Sequence, residues 1–206
     1  VFILPYVYPY AYDVQVLSNT NQGPSLQHIF GTDAHGRDLF IRVMYGTKVS
    51  LLVGIVASVI NFTIGVSYGG VAGYLGGKID NIMMRIVDIM STIPLTLYVI
   101  LLMVMMPENK GMKNILIAIG TIYWIGMARI VRGQIFSLKE QEYVMAERVL
   151  GASGSRILFK HLIPNALGPI IVNLTMSIPS AIFTEAFLSF IGLGISAPRA
   201  SLGSLC

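Results

Sequence analysis

Three groups of residues in this chain are equipped for chemistry. His28, Asp33, His35 and Asp38 stand close together, and imidazole with carboxylate is a ligand set that suits zinc or nickel. Nothing in that stretch gives the helical register that would fix their geometry. The simpler reading has Asp33 and Asp38 capping local turns, with Arg37 or Arg42 as ion-pair partners. Asp88 and Glu185 border long apolar runs, where a carboxylate can relay protons or line a path. Arg85, three residues from Asp88, offers an interfacial ion pair on the same helical face, and Glu185 is expected near a span end within reach of water. The third group is Glu142–Asn165, EYVMAERVLGASGSRILFKHLIPN, a charged stretch between apolar runs. Its chemistry is that of a docking surface. The sequence has no GxxxxGK[ST] phosphate loop and no GxSxG or HExxH arrangement, so no enzyme activity is expected of this chain.

The elements that position these residues follow from composition. Of 206 residues, 54% are hydrophobic and only 12% charged, with a mean hydropathy of +0.72. That balance excludes a soluble domain, which needs more charge to cover its surface. The net charge of +4 is scattered rather than gathered, which argues against a nucleic-acid footprint. The single cysteine, Cys206, permits no internal disulfide and no thiolate metal cage. With Val1 in place of a Met, and an apolar Val1–Leu4 run that stops at Pro5, the chain reads as a fragment without a signal peptide.

Four charge-free runs, 49–77, 89–107, 114–128 and 161–184, predict four membrane-spanning helices. The third is short and requires Lys113 and Arg129 to reach outward to the two interfaces. Strand alternation is absent, which excludes an outer-membrane barrel. Tyr6, Tyr8, Tyr10 and Tyr12 either sit at headgroup level or decorate an extended loop. Gly65, Gly69, Gly73 and Gly77 recur every four residues along one helix stripe. They predict a close packing seam, a helix end, or each for different members. Asn61, Asn173, Thr175 and Pro179 read as polar helix–helix contacts, with a cavity-facing role as the alternative. Connections 78–88 and 129–160 share one side and hold eight of the fourteen basic residues, which favours a cytoplasmic 129–160.

Within the charged stretch, Val144, Met145, Val149 and Leu150 predict one apolar face of a short amphipathic helix, with Glu140, Glu142, Glu147 and Arg148 over the rest. Gly151 suits the left-handed residue that stops such a helix. Ser153 or Ser155 then caps a second helix through Arg156 and Lys160, and Pro164 marks the approach to the next span.

At these residues the sequence resembles the EAA loop of ATP-binding-cassette importer permeases. Met145-Ala146-Glu147 stands at the triplet, Gly151 four positions later and Pro164 thirteen beyond that; Met145 and Glu147 depart from the consensus triplet. Leu150-Gly151-Ala152-Ser153 and His161-Leu162-Ile163-Pro164-Asn165 are similar to the peptide branch. Upstream, Phe30-Gly31-Thr32-Asp33-Ala34-His35-Gly36-Arg37-Asp38 resembles the FGTDxxGRD segment of dipeptide, oligopeptide and nickel importers. Glu185 to Gly194 is similar to their EAxLSFLGLG string. The resemblance is closest to the C-type membrane subunit, and it implies an all-α, polytopic helical bundle of the type I importer permease kind. It also implies an extracytoplasmic segment over 1–48, in which Gly31, Thr32, Asp33, Gly36, Arg37 and Asp38 form a structural motif. A permease domain over 49–206 would follow, cut before its last span, with the EAA loop at 132–165.

The implied function is a peptide importer permease in the cell membrane with its EAA loop in the cytoplasm. A nickel importer of the same family and an ion-coupled secondary transporter are the alternatives, and a metallo-enzyme built on His28 and His35 is a more distant rival. The implied ATPase-docking residues are Glu142, Met145, Ala146, Glu147, Gly151, Ala152, Ser153, Arg156 and Pro164. The implied partners are a second homologous permease, two cytoplasmic ATPases that bind the ATP, an extracytoplasmic substrate-binding protein and the lipid bilayer. No cofactor and no metal are expected on this chain.

Overall fold

A computed structural model describes residues 1–106, 112–194 and 200–205. Glu108, Lys110, Arg199 and Cys206, which enter the charge and thiol arguments above, lie outside the described residues. After a short turn of helix, α1 (Leu4–Val7), and an irregular segment, α2 runs unbroken over Leu39–Leu75. It starts ten residues before the charge-free run because Asp38 caps it, its Oδ1 accepting the Ile41 backbone N–H at 3.0 Å. Its 37 residues span about 55 Å, well beyond the roughly 30 Å of a bilayer's hydrocarbon core. It ends where Gly76 takes a φ of 64°, a conformation open to glycine.

The second predicted span is broken. The structure has α3 (Gly77–Thr92) and α4 (Leu95–Met105) with their axes turned by 82°. Proline lacks the N–H that would continue the ladder and pushes the residue before it into extended backbone. Ile93, at φ −87° and ψ 120°, shows that effect ahead of Pro94.

The third span is longer than its charge-free run. α5 (Met112–Ile122) and α6 (Trp124–Leu138) together give a 27-residue apolar helix. Arg129 does not end it, since Arg129 Nη2 meets Asp88 Oδ1 at 2.9 Å and Arg132 forks onto both Asp80 oxygens at 2.5 Å. Asp88 therefore pairs with Arg129, the expected Arg85 giving way to a partner on another helix. α7 (Glu142–Val149), α8 (Gly154–Arg156), a π-helical turn (Ile157–Leu162) and α9 (Ile163–Asn165) lead into α10 (Leu167–Phe190). A last turn, α11, covers Leu202–Leu205. Among the described residues, three helices are thus long and apolar enough to cross a membrane, and the bent α3–α4 pair is a fourth crossing if taken as one span. Among the described residues there is no strand, only an isolated bridge between Thr32 and Asp38.

The chain divides into two compact units. The first comprises the described residues of Val1–Gly54, Val99–Ile115 and Ala181–Cys206; the second comprises Ile55–Tyr98 and Leu116–Ser180. In the first unit Tyr8, Tyr10 and Tyr12 pack on other rings of the chain. Tyr12 stacks on Tyr45 at 3.8 Å, Tyr10 lies 4.9 Å from the His28 ring and Tyr8 5.3 Å from Phe40.

The second unit has a continuous apolar core in which Val66, Val131, Ile135, Val144, Ile157 and Ile170 are all buried. α2 and α6 approach closely along the glycines. A Cβ on Gly65 would lie 2.6 Å from that of Met127, one on Gly69 would overlap the Ala128 carbonyl, and one on Gly73 would lie 2.8 Å from the Arg132 carbonyl oxygen. Any side chain there forces the two backbones apart. Lys139 closes the end of this contact, donating from Nζ to the Gly73 carbonyl at 3.0 Å, which places a cation on the C-terminal dipole of α2.

Candidate functional site

The charged stretch folds as two short helices at an elbow. Its first helix, α7, opens after Gln141 and closes at Leu150, with Gly151 at φ 79° providing the left-handed residue. Ser153 then caps the second helix, its Oγ accepting the Arg156 N–H at 3.4 Å. Gly154 follows because a Cβ there would sit 2.9 Å from the Tyr74 hydroxyl. The backbone widens to a π-turn over Ile157–Leu162 before Pro164, a feature often found at functional sites.

Which face is buried differs from the sequence expectation. Of the four apolar residues expected to share one face of α7, only Val144 enters the core. Met145 is exposed, Val149 is 88% exposed and Leu150 81%. The second helix instead supplies the buried side chains, Ile157, Leu158 and Leu162, which join Val144, Val131, Ile135 and Ile170 in one cluster. The elbow is therefore keyed into the helices behind it while its outer surface stays open. On that surface lie Glu142, Tyr143, Met145, Ala146, Val149, Leu150, Gly151, Ser153, Arg156 and Phe159; Glu147 and Ala152 are half-buried, and Pro164 is exposed.

Sequence reasoning missed the internal link. Glu147 Oε1 lies 3.5 Å from His161 Nε2, an ion-pair approach across the elbow without hydrogen-bond alignment, which leaves His161 Nε2 without a hydrogen-bond partner. The signal was available, since Glu147 and His161 are the charged and titratable members of the two strings that flank Gly151.

The N-terminal motif is inward-looking. Asp33 Oδ1 accepts the backbone N–H of His35 at 2.8 Å and of Arg37 at 3.0 Å, while Oδ2 takes Arg37 Nε at 2.7 Å and lies 3.6 Å from Arg42. Burial pushes the Asp33 carboxyl up, but the backbone donors of Arg37 and His35 and the Arg37 side chain outweigh it. The net position is below the ordinary carboxylate value. Asp38 caps α2 with one oxygen and meets His28 Nδ1 at 2.8 Å with the other. Gly31 and Gly36 sit where a Cβ would overlap the carbonyls of Gln22 and Val16, and Thr32 Oγ1 donates to the Asn19 carbonyl. His28, Asp33 and Asp38 thus have other partners, and no group of three or more metal-ligating side chains occurs among the described residues.

Glu185, expected near water, is fully buried. Its carboxylate accepts from Ser50 Oγ and Ser189 Oγ, each at 2.7 Å, and Ser50 also receives the Leu202 N–H at 3.4 Å. Paired hydroxyls make that burial tolerable, so the residue ties α2, α10 and α11 together.

A charged elbow keyed into long apolar helices is the architecture of a multi-pass membrane protein. The chain belongs to the family of binding-protein-dependent transport system inner membrane components, whose profile matches residues 65–205. It is 52% identical to the oligopeptide transport system permease protein OppC of Bacillus subtilis, over 95% of this chain and 64% of the relative. It is equally similar, at 52%, to the dipeptide transport system permease protein DppC of that organism, over 97% and 62%. With OppC of Escherichia coli it shares 42%, over 100% and 68%. The chain therefore spans somewhat under two thirds of the first two relatives' length. Among solved structures, an inward-facing MetNI methionine ABC transporter matches with a TM-score of 0.68, covering 81% of this chain and 79% of that one at 21% identity. The helical fold thus resembles that of a chain of this ABC transporter.

Proposed function

We propose that this chain is the greater part of a permease subunit that imports di- or oligopeptides. In this reading it couples through Glu142–Pro164 to cytoplasmic ATPases that bind the ATP. The observation that carries the proposal is the open apolar surface of α7. Val149 and Leu150 stand almost fully exposed within the most charged connection of the chain, where lipid is not the natural cover and a protein groove is. Peptide as cargo is supported by the relatives, which are named for oligopeptide and dipeptide transport. Membership in a binding-protein-dependent family speaks against the ion-coupled alternative, and no relative above is named for nickel.

The remaining partners are a second, homologous permease and an extracytoplasmic binding protein. Residues 1–48 form the extracytoplasmic segment, 49–206 the permease domain, and the elbow faces the cytoplasm. Support for that side comes from Asp88–Arg129 and Asp80–Arg132, which bring the basic connections 78–88 and 129–132 together. Closure of the ATPases would carry α7 as a rigid body, because Val144 shares its core with α6 and α10. The motion would rock the attached spans, with the Gly65, Gly69 and Gly73 contact as the surface that slides or repacks.

The test is cross-linking in the assembled transporter. Val149→Cys in a Cys206→Ser background should form a bond with a cysteine lining a groove of the ATPase, at a yield that changes with nucleotide. A residue 149 reached only by reagents outside the cell would overturn the assignment.

A further inference from the structure

In the second unit, α2, α6 and α10 surround a cleft of about 200 Å³. Its polar lining is Asn61, Tyr123, Asn173, Ser177 and Ser180, with Gly126 and Met176 completing the wall. The coupling elbow and the N-terminal motif make no use of this cleft. Asn61 is 2% exposed and its Oδ1 has no hydrogen-bond partner. A buried amide oxygen left without a donor carries an unrelieved desolvation cost. The other polar groups are already tied down. Ser177 donates to the Leu174 carbonyl at 2.7 Å and lies 3.1 Å from the Ser58 hydroxyl. Ser180 donates to the Met176 carbonyl at 2.9 Å, and the Tyr123 hydroxyl donates to the Ser180 carbonyl at 3.0 Å. The cleft therefore presents a free amide acceptor, a half-buried second carboxamide on Asn173, and serine oxygens with spare lone pairs.

The lining has no charged side chain, imidazole, carboxylate or thiolate. That chemistry offers nothing to a divalent metal or to a charged terminus. It matches neutral groups that both donate and accept, which are peptide bonds. We propose that this cleft is a transit site that hydrogen-bonds the main-chain amides of a peptide, with Asn61 and Asn173 as the reading groups. Main-chain contacts do not depend on side chains, so the site accepts peptides of varied sequence. The inference rests on the importer reading above and adds where, and by which chemistry, the cargo is held.

The experiment uses the complete transporter, with the full-length subunit, second permease, ATPases and binding protein, in proteoliposomes, with radiolabelled tetra-alanine as probe. Asn61→Leu combined with Asn173→Leu should lower uptake about tenfold while assembly and nucleotide hydrolysis hold within about twofold. Asn61→Gln should restore most of the loss from Asn61→Leu. In a Cys206→Ser background, Asn173→Cys should react with a membrane-impermeant thiol reagent and be protected by tetra-alanine during turnover. This second readout stands even where the double variant assembles poorly. Unchanged uptake in the double variant overturns the site. So does an Asn173→Cys thiol that no aqueous reagent reaches, or one that cross-links to the second permease, which makes the cleft a helix contact. A wild-type complex that imports no peptide at ATP's expense sinks the importer reading itself and is recognisable as that separate failure.

Discussion

Two polar motifs of similar length make opposite use of their side chains. In the Phe30–Arg42 segment, Asp33, Arg37 and Asp38 are hydrogen-bonded within the segment or to its neighbours, Arg42 Nη1 donates to the Tyr12 carbonyl while its Nε only approaches Asp33 at 3.6 Å, and Asp38 is only 3% exposed. In Glu142–Pro164, Met145, Val149, Leu150 and Phe159 face out, and Glu142, Arg148 and Arg156 make no ion pair among the described residues. Charge turned inward fixes a shape, because a buried polar group demands its own partners. Apolar surface left open in a charged loop is a vacancy for another protein. The contrast separates a motif whose side chains are used up within the fold from one whose outer face is left open, the face proposed above to dock the ATPases.

The largest effect should come from spoiling the open surface. Val149→Asp with Leu150→Asp removes two apolar side chains worth about 2 kcal/mol each on burial, which weakens ATPase association roughly a thousandfold. Co-purification and calorimetric titration of the ATPase measure it. The subunit's own unfolding should be unmoved, and a destabilised subunit would show that the loop, too, is structural.

Next in size is Asp38→Ala, which removes the α2 cap and leaves His28 alone. A loss of about 3 kcal/mol is expected, read as denaturant unfolding in detergent micelles, with ATPase association retained by the fraction that stays folded.

Acid should act on the same motif. The folded Asp33 carboxyl sits below its ordinary value of 3.8, so its stabilisation is complete above that value and is lost as pH falls through the lowered folded one. Wild type should lose stability more steeply than Asp33→Asn on acidification from about pH 5 to about pH 2. Parallel curves would remove Asp33 from the account.

The smallest effect belongs to His161→Ala. The half-buried Glu147–His161 pair is worth no more than about 1 kcal/mol, so stability should barely change while uptake per ATP hydrolysed falls measurably. That split would mark the pair as part of transmission rather than folding.

Much of this was legible in the sequence because apolar run length and glycine spacing act locally. A run near 20 residues between charges predicts a helix in lipid from its own composition, and Gly151 ends α7 on backbone grounds alone. Legibility failed where partners are distant in the chain. The bend at Pro94 was readable in principle, but the continuation of α6 through Arg129 and Arg132 depended on Asp88 and Asp80, more than forty positions upstream. Glu185 was misplaced for the same reason, since the hydroxyl that makes its burial tolerable belongs to Ser50, 135 positions away.

By itself, then, the sequence determined that this is a helical membrane chain of an importer family, with a charged elbow and a capped, inward-turned motif ahead of α2. Only the tertiary structure decided which side of the elbow is left open, which glycines touch a neighbouring helix, and that Asn61 carries an unanswered acceptor. The reason is physical. Helix formation follows from nearby residues, whereas the worth of a polar or apolar side chain is set by what the fold brings against it.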